Sequence, residues 1–172
     1  MKALLKLARR CERGAVAVEF ALVAPFLILM HFGAVELIQA WGAHRRTAHI
    51  AAALADLTAQ SRSVTTADLN DILAAGVVMV SPYPTDTLGE RIASISMDSG
   101  GVVKTDWIAS RNWTAGGQPT VPAGYLQPNE SVIVAHVTYR HRALFGLVLP
   151  GVTTMQKQAY LRPRLSNQVG KI

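Results

Sequence analysis

Residues 14–35 read GAVAVEFALVAPFLILMHFGAV, and this stretch decides the fold. From Ala15 to Val35 the only charged residue is Glu19. At about 1.5 Å per residue, a helix of this length crosses the ~30 Å hydrocarbon core of a bilayer. Trp41 follows at a distance where an interfacial aromatic side chain is expected. The stretch therefore predicts a membrane-spanning helix, assigned to residues 15–42.

The residues before this stretch are basic. The 172-residue chain has a net charge of +6, and residues 1–14, with five basic side chains and one acidic, contribute +4 of it. Between Val35 and Gln60 only Arg45 and Arg46 are arginine or lysine. The positive-inside bias predicts a cytoplasmic N-terminus and a C-terminal bulk on the other side of the membrane. Because the basicity is concentrated in the N-terminal segment, it argues against nucleic acid as a partner.

Gly14 comes before the apolar run rather than after it. In an ordinary secretory signal a shorter apolar core ends at a small-residue site, so the apolar segment is removed with the signal. Cleavage after Gly14 would instead leave the apolar helix on the mature chain. Cys11 is the only cysteine and would leave with the leader, so no disulfide framework is expected.

Glu19 is the costly residue of the span, because an ionisable group inside a membrane is expensive and functional by default. Cleavage after Gly14 would create an α-amino group on Ala15. That ammonium group is expected to pair with Glu19 of a neighbouring subunit, or transiently with its own, and so to set the axial register of a helical bundle. The alternative is that Glu19 lies at the headgroup boundary and faces water.

The stretch GAVAVEF at residues 14–20 resembles the processing site of type IV-related prepilins, particularly the Flp or tight-adherence (Tad) class. Residues 55–60 and the run from Tyr139 to Gly151 resemble the TadE-like family of pilus-assembly pseudopilins. The resemblance implies cleavage after Gly14 by a dedicated inner-membrane prepilin peptidase. The implied processing-site residues are Gly14, Ala15, Glu19 and Phe20, and the leader charges are Lys2, Lys6, Arg9, Arg10 and Arg13.

The same resemblance implies a minor pseudopilin that acts in Tad/Flp pilus biogenesis or is incorporated in the pilus. Its implied partners are the prepilin peptidase, other pilin and pseudopilin subunits, and the inner-membrane pilus assembly platform. The implied location is the bacterial inner membrane, single-pass, with the C-terminal domain in the periplasm. No cofactor, metal or enzymatic activity is expected.

Beyond the span the pattern predicts an α+β domain at residues 43–172, after a leader at 1–14. The first helix is expected from Val16 to Gln60, kinked at Pro25, with Ile50, Leu54 and Leu57 forming one apolar stripe. Alternating apolar residues then predict a mostly antiparallel sheet. The expected later elements are a helix at 67–80 capped by Thr65 or Thr66, strands at 91–98, 102–109, 131–141 and 153–162, and an apolar connection of open type at 143–150.

No nucleophile elbow, phosphate-binding loop or dinucleotide fingerprint occurs in the sequence. His136 and His141 are five residues apart, which places them on opposite faces of a strand. Three alternatives stay open: an uncleaved signal-anchored periplasmic domain that binds envelope partners, a minor pseudopilin of a type II secretion system, and a membrane-tethered enzyme.

Overall fold

The computed structural model describes residues 12–149 and 151–172, with side chains from residue 14 onward. Its first element is one long helix, α1 (Glu12–Ala59), which runs without interruption through Pro25. The predicted ends, Val16 and Gln60, lie within four residues of the observed ones. The kink at Pro25 stays a prediction.

The C-terminal half of α1 packs on the rest of the domain through a face of small side chains. Ile50 and Leu54 are fully buried, as predicted, and Ala51 and Ala55 are buried beside them. The prediction for Leu57 is wrong, because this side chain is 41% exposed. At about 100° per residue, the buried face is centred between the Ile50–Leu54 row and the two alanines, and Leu57 falls at its edge.

A two-residue strand, β1 (Ser63–Val64), separates α1 from the second helix, α2 (Thr66–Met79). Thr65 caps α2: its hydroxyl accepts a hydrogen bond from the Asp68 backbone N–H at 3.1 Å. The Asp68 carboxylate accepts in return from the Thr65 backbone N–H at 2.8 Å, which completes a capping box. This geometry confirms the predicted second helix and selects Thr65 as its cap.

Four strands form an antiparallel sheet in the order β3-β2-β4-β5. Each lies within three residues of a predicted strand, which confirms the α+β class. The two central strands, β2 and β4, are buried along most of their length. The strands are β2 (Leu88–Met97), β3 (Val103–Arg111), β4 (Ser131–Arg142) and β5 (Val152–Leu161).

The register of β2 and β4 gives the sheet two distinct ends. Leu88 pairs with Tyr139 at one end, and Ser96 pairs with Ser131 at the other. The hairpin turn that joins β2 to β3 lies at the second end, where Asp98 Oδ1 accepts hydrogen bonds from the backbone N–H groups of Gly100 and Val102. The loop that follows β4 lies at the first end. The two loops are therefore separated by the length of the sheet.

The sheet has an apolar cluster on each face. The larger cluster joins Ile133 and Val137 of β4 to the buried faces of α1 and α2. The smaller cluster joins Val132 and Val134 to Leu126, which comes from the Gly- and Pro-rich loop between β3 and β4. That loop therefore covers the face of the sheet that the helices leave open.

The C-terminal segment returns to the end of α1. A last strand, β6 (Gly170–Lys171), pairs in parallel with β1. Arg164 donates its backbone N–H to the Ala59 carbonyl at 2.9 Å, and its guanidinium forms a salt bridge with Asp56. The sequence pattern did not predict this two-stranded sheet, because segments of two residues are too short to show an alternating period.

Candidate functional site

The predicted processing residues lie at the N-terminal end of α1. Gly14 lies two residues after Glu12, the first described residue of α1, and Ala15 follows on the exposed helix surface. The predicted leader charges Lys2, Lys6, Arg9 and Arg10 lie outside the described residues, as does the side chain of Arg13.

Glu19 lies exposed on α1 among apolar side chains. Val16, Phe20 and Leu22 are 65%, 69% and 69% exposed, and they surround the carboxylate along the helix. Within the described residues Glu19 takes part in no side-chain hydrogen bond or salt bridge. Ala15 is four residues earlier and about 6 Å away along the axis, on the same side of the helix. Among the residues that the structure describes, this carboxylate thus has no partner and lies on an apolar surface.

This apolar surface continues along the first half of α1. Within Gly14–Ala59, which is long and apolar enough to cross a membrane, the most apolar stretch of 18 residues contains no buried residue. The core helix of a globular protein would bury one face of such a stretch. The exposure is consistent with a membrane anchor.

Sequence reasoning missed Glu36, which is fully buried one residue beyond the predicted apolar run. Its carboxylate accepts hydrogen bonds from three consecutive backbone N–H groups of the β4–β5 loop, which is described at residues 143–149 and 151. The distances are 3.1 Å from Gly146, 3.0 Å from Leu147 and 3.1 Å from Val148. A carboxylate held by several N–H donors is well stabilised, because each bond is charge-assisted.

The β4–β5 loop also packs directly on α1. The rings of Phe32 and Phe145 are 4.7 Å apart, a normal distance for an aromatic pair. Gly33 leaves room for the loop, since a Cβ atom there would lie 3.1 Å from Val148 Cγ2. Gly33 thus accommodates the chain's own loop.

The sequence does carry a signal for Glu36. Leu37 and Ile38 continue the apolar run on the far side of this residue. A single acidic residue enclosed by apolar neighbours at the end of a span needs a partner, and the partner here is backbone that no side-chain pattern displays. The carboxylate could therefore have been flagged, but not its donors.

On the open face of the sheet, Arg91 fixes the β3–β4 loop rather than forming a binding site. Its guanidinium lies 2.9 Å from His136 Nδ1, donates to the Gly117 carbonyl at 2.7 Å, and stacks 4.4 Å from the centre of the Trp113 ring. Burial, reinforced by the nearby Arg91 charge, lowers the pKa of His136. His141 contacts Tyr83 on the helix side, so the two histidines lie on opposite faces, as predicted.

The described residues, 12–149 and 151–172, contain no group of three His, Cys, Asp or Glu side chains placed to hold a metal ion. Among the buried ones, Glu36 binds loop backbone, and His136 contacts Arg91 and the Trp113 ring.

These features together define an α+β protein whose sheet domain is carried on an exposed, apolar N-terminal helix. A family model described as TadE-like protein matches residues 14–56 of this chain. The match confirms the resemblance to the TadE-like family over these residues, and that family suggests involvement in Tad pilus systems. No curated protein and no solved structure matched the chain in the corresponding comparisons.

Proposed function

We propose that this chain is a minor pseudopilin that a prepilin peptidase processes after Gly14, and that acts in Tad/Flp pilus biogenesis or in the pilus itself. The observation that carries the proposal is the TadE-like match, which begins at Gly14 and continues along α1 to Asp56. The position of Glu19 supports it, because a carboxylate exposed on an apolar helix surface needs a cationic partner in a low-dielectric setting.

In this proposal the peptidase hydrolyses the Gly14–Ala15 peptide bond with one water molecule. The leader leaves with a carboxylate on Gly14, and the mature chain gains an ammonium group on Ala15. That group pairs with Glu19 of the next subunit, which sets the axial offset between adjacent helices near the ~6 Å rise of four residues. The leader charges orient the precursor with its N-terminus in the cytoplasm.

The partners follow from the same proposal: the peptidase, other pilin and pseudopilin subunits, and an inner-membrane assembly platform. The chain is a substrate and a structural subunit rather than an enzyme, and it uses no cofactor and no nucleic acid. Its sheet domain lies in the periplasm or at the pilus. Turnover of a substrate by the purified protein would contradict this part.

The test of processing is the N-terminus of the mature protein in a bacterium that contains the peptidase. Mass spectrometry of the membrane-purified chain should find Ala15 as the first residue. Gly14→Val should retain the leader, because Gly14 has no side chain and a valine would crowd the peptide bond that the peptidase must reach. The matched control is Ala17→Val, which places the same valine side chain three residues further along and away from the bond, and which should be cut normally.

A chain that keeps Met1 would contradict processing and favour the signal-anchored alternative. The pairing of Ala15 with Glu19 needs a separate variant. Glu19→Gln should be cut normally and yet fail to assemble into or support pili, because the amide carries no charge for the new ammonium group. Normal piliation by a correctly cut Glu19→Gln chain would contradict the pairing.

A further inference from the structure

The β4–β5 loop is apolar and exposed, although it lies against the rest of the molecule. Leu144, Phe145, Leu147 and Val148 are 62%, 45%, 49% and 54% exposed. Four large apolar side chains within five residues are unusual for a loop surrounded by water, where they favour aggregation or mark a binding surface. The exposure therefore calls for an apolar environment around the loop.

The position of this loop along the axis of α1 indicates that the apolar environment is the bilayer. The loop contacts α1 at Phe32, Gly33 and Glu36, a length of helix of about 6 Å. These positions include the last turn of the apolar run that ends at Val35. The loop thus lies beside the end of the span rather than above it, and its exposed side chains widen the apolar surface of α1 at that level.

Four backbone N–H groups of the loop are hydrogen-bonded within the protein. Such pairing lowers the cost of placing irregular backbone near the hydrocarbon region, where an unsatisfied polar group is expensive. Glu36 accepts from three consecutive N–H groups, and the Ala143 N–H donates to the Gly151 carbonyl at 3.1 Å across the base of the loop. The same contacts remove the Glu36 carboxylate from lipid.

The residues around the loop match a headgroup layer. Arg140 and Arg142 are exposed at the C-terminal end of β4, directly before the loop. Trp41 is 66% exposed on α1, beyond the level of the loop. Cationic and indole side chains gather where hydrocarbon meets headgroups, and arginine side chains interact favourably with anionic lipid.

We propose that the β4–β5 loop inserts into the bilayer beside α1, in the leaflet next to the sheet domain, and that Glu36 holds it there through the backbone of residues 146–148. The domain is then attached to the membrane at two points, and its tilt relative to the span is fixed. The proposal rests on α1 being the membrane anchor but does not depend on cleavage after Gly14.

The test measures where the loop lies in a bilayer. Full-length protein with Cys11→Ser carries one nitroxide label, on Leu144→Cys, in nanodiscs of phosphatidylethanolamine and phosphatidylglycerol with one chain each. Val102→Cys is the matched control: both side chains are 62% exposed, but Val102 lies in the hairpin turn at the opposite end of the sheet. Power saturation compares collision with lipid-soluble oxygen and with a water-soluble nickel chelate.

The label at residue 144 should favour oxygen severalfold over the nickel chelate, and the label at 102 should show the reverse. Equal ratios at the two sites would overturn the loop proposal. A preference for oxygen that appears only at several chains per disc would also overturn it, because the loop would then dock on a second copy of the chain.

A third label, on Leu29→Cys within the apolar run, separates this proposal from its premise. Leu29 is 55% exposed on α1 and should report lipid in every case. If the label at 29 reports lipid and the label at 144 reports water, only the loop proposal fails. If both report water, the membrane anchor fails, and the proposed pseudopilin function fails with it.

Discussion

The two halves of α1 belong to one uninterrupted helix and yet show opposite surfaces. In the first half, apolar side chains such as Phe26 and Met30 are 77% and 70% exposed. In the second half, Ile50 and Leu54 are fully buried on one face, while Arg45 and Arg46 remain exposed. Both halves are helical throughout. What differs is the surface: most of the first half exposes apolar side chains, which is consistent with a membrane anchor, whereas the second half packs one face on a protein core.

Glu36 lies where the two halves meet, and it takes part in both. It is seven residues before Ala43 and fourteen before Ile50, so it lies on the helix face that packs on the domain. Along the helix axis, Glu36 still lies at the end of the apolar run. Glu19, at the other end of that run, is exposed and has no partner among the described residues. One carboxylate is satisfied within the chain, and the other is available to a second chain.

The largest change in the free energy of unfolding is expected from removing the Glu36 carboxylate. Glu36→Ala leaves three backbone N–H groups without their acceptor and should lower the free energy of unfolding by about 4 kcal/mol. Urea unfolding of the full-length protein in detergent micelles measures it, with fluorescence of the buried Trp107 as the reporter. Glu19→Ala is the control and should change the value by less than about 0.5 kcal/mol. Equal losses in the two variants would mean that the halves do not differ as described.

A smaller change in stability is expected from the titration of Glu90, which is buried against the packed half of α1. Its carboxyl is fully buried beside Gly76 and Ile50, with no hydrogen-bond partner among the described residues. Burial raises the pKa of Glu90 to about 7, and the Arg111 charge offsets part of that rise. The folded protein therefore keeps a proton on this carboxyl between pH 4.5 and about 7, where the unfolded chain releases it.

Protonation of Glu90 makes the stability of the protein depend on pH. Stability should fall as pH rises through that window, by at most about 3 kcal/mol, and Glu90→Gln should remove this fall. Burial lowers the pKa of His136 and His141, which acts in the opposite direction, so the difference between parent and variant isolates Glu90. Urea unfolding from pH 4 to 8 is the measurement, and Glu130→Gln, at an exposed salt bridge, is the control. A parent and Glu90→Gln with parallel profiles would contradict the assignment.

Much of the fold could be predicted from local pattern. The span, the capped second helix, the hairpin at Asp98 and the strand from Ser131 each depend on residues close in sequence, and a period of 3.6 or 2 displays them. The predicted stripe of Ile50, Leu54 and Leu57 leaves out Ala51 and Ala55, which are buried, and for that reason it places Leu57 wrongly. In a closely packed helix face small residues are part of the contact, so the centre of the face shifts toward them.

The site was predictable only in part, for a different physical reason. Glu19 stands out because its cost can be read from its apolar neighbours alone. The carboxylate of Glu36 is hydrogen-bonded to backbone more than a hundred residues away, and Glu90 is buried next to Gly76 of α2. Both environments come from tertiary packing, which no local period encodes. The role of the β4–β5 loop likewise depends on its height beside α1, which only the folded chain shows.

The smallest effect is expected from enlarging one alanine in each half of α1. Ala51 is fully buried against the sheet domain, so Ala51→Leu must displace packed neighbours and should cost about 2 kcal/mol of unfolding free energy. Ala21 is exposed in the apolar half, and Ala21→Leu should change the free energy of unfolding by less than about 0.5 kcal/mol. Both variants add the same three carbon atoms to the same helix, so propensity cancels between them. A comparable loss at Ala21 would show that the first half of α1 also packs against protein in the isolated chain, and the division of the helix into a lipid-facing half and a core-facing half would have to be redrawn.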